Sequence, residues 1–160
     1  MTDVTQTFIA KSRSLLSEYL MKIERCLKEL SEEDVWWRAH EEGNSIGNLL
    51  LHLSGNARQW IVCGVGGAED RRVRQQEFDA REGASRDELL AALRQTVAEV
   101  DAVLDGLDEG SLLEPRQIQR YDVSVLEAVY HVVEHFSMHT GQIILMTKLL
   151  AKKDLEFYNL

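Results

Sequence analysis

Between residues 131 and 142 the chain reads His-Val-Val-Glu-His-Phe-Ser-Met-His-Thr-Gly-Gln, with a histidine at every fourth position from 131 to 139. At about 100° per residue, a helix through this stretch stacks His131, His135 and His139 along one face. The residues between and after them are apolar, Val132, Val133, Phe136, Ile143 and Ile144 among them. Such a helix is expected to be buried on most sides, and imidazoles in apolar surroundings need partners there. A metal ion is one such partner. Two histidines at i and i+4 grip an ion from a rigid helix yet fill only half of a tetrahedral shell. The segment therefore calls for a second helix carrying a further donor.

The plausible distant donor is His52, in Asn44-Ser-Ile-Gly-Asn-Leu-Leu-Leu-His-Leu-Ser-Gly-Asn-Ala-Arg-Gln-Trp60. Between Gly43 and Ala68 the formally charged residue is Arg58 alone, so this helix too is expected to be largely buried. On its wheel Asn48, His52, Asn56 and Gln59 make a narrow polar stripe beside Leu49, Leu53, Ala57 and Trp60. The stripe either lines a pocket or is a solvent face, and periodicity does not separate the two. Taken alone, a helical pair of histidines four apart is a weak signal, because surface and hydrogen-bonded core histidines share that spacing. Gln142, one turn past His139, and the small Gly55 and Gly141, where helices can approach closely, strengthen it.

Ser-Ile-Gly-Asn-Leu-Leu-Leu-His at 45–52, followed by His-Phe-Ser-Met-His-Thr-Gly-Gln at 135–142, resembles the DinB-like, damage-inducible family of four-helix metalloenzymes, in an uncharacterised branch. The likeness extends from Trp36-Trp37-Arg38 through the last helix. It implies an all-α fold, a single four-helix bundle with long crossover connections, and a divalent ion held by His52, His135 and His139. His131 lies one turn outside that pattern and is expected to line the pocket or support a ligand, with Asn48, Asn56, Gln59, Gln142 and Tyr121 as further pocket or supporting residues. Three imidazoles leave a coordination position open, as catalytic rather than structural sites do. All-nitrogen ligation suits several metals, with Zn or Ni the preferred expectation. The family's chemistries include transferases that use low-molecular-weight thiols such as mycothiol or bacillithiol, a related isomerase, and hydrolases. A thiol-dependent S-transferase acting on a small-molecule substrate is the first reading. A metal-dependent hydrolase, with Glu134 or His131 as proton carrier, and a non-catalytic metal-binding helical dimer are the alternatives.

Along the chain, Leu16, Leu20, Ile23, Leu27 and Leu30 keep the spacing of a first helix over about Val4 to Leu30. Ser31 with Asp34 caps a short turn into Trp36 and Trp37, whose bulk is expected to close one end of the core. Asn44 or Ser45 caps the second helix, which should end near Cys63 before Gly64, Gly66 and Gly67. Residues 68–84 are highly charged, with Phe78 the one aromatic, and read as a surface connection long enough to traverse a bundle. In it, Arg71, Arg72 and Arg74 form a basic cluster whose usual meaning is solvation or local ion pairing, with binding of an anionic ligand the lesser alternative. Ser85 with Glu88 and Ser124 with Glu127 are capping boxes for the third and fourth helices. No strand pattern long enough to build a sheet is present. Tyr121, just ahead of the last helix, is placed either to pack or to reach over the site.

The 160 residues suit one domain spanning 1–160. A net charge of −9, from 27 acidic and 18 basic residues, repels a phosphate backbone, so no nucleic-acid partner is expected. No apolar run approaches the roughly 18 residues of a membrane span and the start lacks a secretory pattern, which makes a cytoplasmic location and no membrane partner the expectation. Cys26 and Cys63 read as reduced, buried small side chains. Cys63 lies about three turns, roughly 16 Å, from His52, too far to share its metal. Leu126, Tyr130, Val133 and Ile144 give the last helix a second apolar band, from which a homodimer is expected.

Overall fold

The structure is a computed structural model that describes residues 3–157. Four long helices carry it: α1 (Val4–Leu27), α3 (Ile46–Ala57), α5 (Arg86–Asp105) and α6 (Val125–Ala151), with short helices α2 (Glu32–Trp36) and α4 (Arg74–Asp79) in the connections. The close approaches run from α1 to α6, α6 to α3, α3 to α5 and α5 back to α1, a closed ring of four. Ile23, Leu53, Leu93, Leu104, Phe136 and Ile143 fill its centre with almost no exposure, each contributing roughly 1.5–3 kcal/mol by leaving water. Because α3 and α6 are neighbours in this ring, His52 and Asn56 from the polar stripe of one meet the histidine face of the other. The expected all-α bundle is the fold observed.

The helices begin where the sequence supplies caps. Ser31, Ser45, Ser85 and Ser124 each accept a hydrogen bond from the backbone three residues on, and Asp34, Asn48, Glu88 and Glu127 each close the reciprocal bond. Helix α1 stops at Leu27, a turn before the expected Leu30, although Leu30 is still buried. Trp36 closes the core end as expected, and its ring lies where a Cβ on Gly47 would be only 2.9 Å away. Trp37 does not, being 40% exposed.

Two local elements depart from the sequence reading. Helix α3 does not end as a simple α-helix but widens into a π-helical turn, Arg58–Cys63, in which the Gly64 and Gly66 amides donate five residues back to Gln59 and Ile61. The connection after α5 contains a two-stranded antiparallel hairpin, β1 (Pro115–Ile118) and β2 (Tyr121–Ser124). Its strands are four residues each, below the length at which alternation is readable. Buried Ile118 secures the hairpin to the π turn, its Cδ1 occupying the space 2.5 Å from where a Gly64 side chain would start.

On α6, Leu126, Val133 and Ile144 are partly buried against the core, so most of the expected second apolar band needs no other partner. Tyr130, Met138, Leu145 and Leu149 remain exposed. Among the described residues, no helix is long and apolar enough to cross a membrane.

Candidate metal centre

His52 leaves α3 and His135 and His139 leave α6 toward the same point. The Nε2 atoms of His52 and His135 are 3.0 Å apart, and those of His139 and His135 are 3.1 Å apart. The rings meet edge to face, His52 at 62° to His135 and 88° to His139, and His135 at 78° to His139, so each points an edge rather than a face inward. One ligand atom from each lies within 4.8 Å of the others.

The outer nitrogens explain which inner ones are bare. His52 Nδ1 stands 2.9 Å from Glu77 Oε2, an acceptor, and 3.2 Å from Arg72 Nη2, a donor that gives to the same Oε2 at 2.8 Å; the shorter carboxylate contact assigns the proton to Nδ1. His139 Nδ1 donates to Gln142 Oε1 at 2.7 Å. An imidazole that gives its proton outward turns a lone pair inward. Two lone pairs therefore face His135 Nε2, which holds at most one proton to share between them. His135 Nδ1, meanwhile, is buried with no partner among the described residues, as is Asn56 Oδ1. A further proton does not fill the centre easily. Burial first, then the neighbouring imidazoles, pushes His135 down to about 3, and burial likewise lowers His139 against the opposing effect of Gln142. A divalent cation fits instead. Zn–N bonds of about 2.0–2.1 Å put tetrahedral ligand nitrogens about 3.3 Å apart, close to the 3.0 and 3.1 Å that His135 keeps from His52 and His139.

The other expected residues separate into different places. His131 stands on the same face of α6, its ring 5.5 Å from that of His135 and 4.1 Å from that of Trp60. Asn56 Nδ2 lies 3.3 Å from His131 Nε2, and burial, outweighing the opposing influence of Glu134, keeps His131 below its ordinary value. Gln142 supports His139. Tyr121 is half-exposed at the hairpin, its ring 6.0 Å from Trp60. Asn48 does not face the imidazoles: its Oδ1 closes the helix cap, and its Nδ2 donates to the carbonyls of Glu77 and Ala80 at 2.7 and 2.9 Å. Gln59 is engaged elsewhere: its Oε1 accepts from Arg72 Nη1 at 2.8 Å and its Nε2 donates to Asp70 at 2.6 Å. Glu134 is exposed, in a shallow depression with Tyr19, Tyr130 and Met138. Cys63 is a free thiol directed at the Glu69 carbonyl.

Two residues beside the centre were not expected there. Arg72 and Glu77 belong to the charged connection, yet their side chains are only 6% and 11% exposed. Burial pushes the Glu77 carboxyl up, but hydrogen bonds from Arg72 and His52 outweigh it and hold the group below the usual carboxylate range. Phe78 lays its ring 4.8 Å from that of His52. The available signal was Phe78, an aromatic in an otherwise charged stretch. A cavity of about 590 Å³ lies between this segment and the π turn, sharing Arg72 and Glu77 with the centre and bounded also by Gly55, Gln59 and Cys63.

The model of a family described as a protein of unknown function, DUF1572, matches residues 3–160. The chain belongs to the DUF1572 family. Solved structures place the fold of this DUF1572 chain among DinB-like proteins. A conserved protein from Enterococcus faecalis superposes with a TM-score of 0.75 at 17% identity, over 96% of this chain and 100% of that one. The DinB-like protein YjoA of Bacillus subtilis gives 0.70 at 15%, over 93% and 98%. The mycothiol-dependent maleylpyruvate isomerase gives 0.67 at 15%, over 84% of this chain and 60% of the isomerase. At these identities the likeness is one of fold. No curated protein matches the sequence.

Proposed function

We propose that the protein is a metal-dependent enzyme that holds a divalent ion, Zn or Ni, on His52, His135 and His139 and uses a low-molecular-weight thiol as co-substrate. The observation that carries the reading is the convergence of three Nε2 atoms, two of them with their outer protons committed to Glu77 and Gln142. A bound ion with an open position supplies Lewis acidity, holding a thiol as its thiolate at neutral pH. The chain's own residues do the rest. Glu77 and Gln142 fix the ring orientations, Phe78 shields His52 from water, and neutral His131, beside the set, is the group available to accept a proton. The adjoining cavity has the size of a small-molecule site. The fold shared with a mycothiol-dependent isomerase favours a thiol over water as the attacking group. The exposed apolar residues of α6 support a homodimer as the working assembly.

Metal analysis of the purified protein tests the reading at its root. One equivalent of ion, lost in His52→Ala while the helical circular dichroism persists, is the expected result. Turnover of thiol and electrophile pairs against turnover of esters and amides then separates transferase from hydrolase. A metal-free protein that takes up no ion would remove the proposal.

A further inference from the structure

The Arg72–Glu77 pair is an odd object in a connection between helices. Arg72 Nε and Nη2 donate to Glu77 Oε1 and Oε2 at 2.6 and 2.8 Å, a bidentate pair almost out of solvent. Burying two charges to close a surface loop gains no stability over an apolar pair of similar size. The pair is nevertheless held from several directions: Gln59 takes Arg72 Nη1, and Asn48 takes the Glu77 carbonyl. Arg38 braces the same segment by donating to the carbonyls of Gly43 and Ala80.

A second unfavourable choice meets it. Gly55 sits inside α3, where alanine is the better helix former. A Cβ there would lie 2.1 Å from Glu77 Oε1 and 2.8 Å from Arg72 Nε. The glycine clears the floor on which the ion pair lies. Both costs converge on one atom, His52 Nδ1, which has Glu77 Oε2 as its acceptor at 2.9 Å, while Arg72 Nη2, 3.2 Å from the same nitrogen, gives its proton to that oxygen at 2.8 Å.

We propose that Arg72, Glu77 and Gly55 form a positioning device for His52, in which Glu77 fixes the Nδ1–H tautomer so that Nε2 faces His135 and His139. Arg72 holds the carboxylate in register, and Gly55 admits the pair to the helix surface. The inference rests on the metal reading above and deepens it: the charged connection at 68–84 becomes the support of a metal ligand, so ion affinity and the seating of that connection are linked. Carboxylates and carbonyls behind ligating histidines are worth roughly 10–100-fold in metal affinity.

Two variants displace the device without touching a histidine: Gly55→Ala, whose methyl evicts the pair, and the double change Arg72→Met with Glu77→Leu, which replaces it by apolar volume. Arg71→Gln, on an exposed arginine paired with Glu69, is the control. The readouts are Zn(II) affinity by chelator competition, the Co(II) absorption spectrum, and imidazole ¹⁵N shifts of His52 in the metal-free protein. Expected are 10–100-fold weaker Zn(II) binding in both displacing variants, an altered Co(II) spectrum and loss of the pure Nδ1–H pattern, with folded circular dichroism kept and Arg71→Gln unchanged. Wild-type affinity and tautomer in both variants, while His52→Ala abolishes binding, would overturn the inference and leave the metal reading standing. If wild-type protein binds no Zn(II), the metal reading fails, and the His52 tautomer across the same variants decides this one alone.

Discussion

Lowering the pH should destabilise the metal-free protein well before its carboxylates titrate. His135 sits at about 3 in the folded chain against an ordinary 6.5, from burial first and then from the imidazoles around it. A group with a lowered folded pKa binds fewer protons folded than unfolded throughout the interval between the two values. Its contribution to stability is therefore complete above the unfolded value and is lost as pH falls from about 6.5 toward 3. From pH 7.5 to pH 5 an unfolded His135 goes from about one-tenth protonated to almost fully so, while the folded side chain stays neutral. The integrated linkage is about 2 kcal/mol, or about 4–8 °C in Tm for a domain of this size. His131 and His139 are lowered as well, each chiefly by burial, and act with the same sign. The assay is urea or thermal unfolding of chelator-treated protein at the two pH values, with His135→Gln as the non-titrating comparison. Wild-type stability that is flat across this window, or a loss in His135→Gln as large as in wild type, would refute the account of a neutral, desolvated imidazole at the centre.

Metal should act in the opposite direction: at neutral pH and a hundredfold excess over Kd, Zn(II) should add about 2.7 kcal/mol and raise Tm by about 5–10 °C, a shift that His52→Ala removes. Equal Tm with and without Zn(II) in wild type would count against the site. If the exposed face of α6 joins two copies, Tyr130→Asp, altering a side chain 63% exposed, should convert a dimer to a monomer in sedimentation velocity without changing the helical content; a species of unchanged mass would end that reading.

The bundle was legible because burial and periodicity act on the same residues. Leu89, Leu93, Val100 and Leu104 repeat at helical spacing and are all core, and each capping box identified from sequence, at Ser85 and Ser124, closes in the structure. What could not be read was structure without period. The hairpin at 115–124 is set by two four-residue strands and by Ile118 finding the space over Gly64, a tertiary fit with no local signature. The π turn after Ala57 adds no residue type that marks it, since its amides merely choose carbonyls five back instead of four.

The centre divides along the same line. His135 and His139 share a helix, so their geometry follows from 100° per residue, and His52 needed only the inference that α3 and α6 are neighbours. Glu77 and Arg72 lie 25 and 20 positions from His52, in a stretch whose charge density signals solvent. Charge predicts exposure only where each charge faces water alone; a bidentate pair with its carboxylate also receiving an imidazole N–H can be carried inside. Within the charged stretch the one clue to that burial was Phe78. The other lay in α3: Gly55, a glycine in the last turn of the helix, whose missing side chain is the space the pair occupies. A residue that weakens its own helix is explained by what lies against it, and here that is the ion pair behind His52.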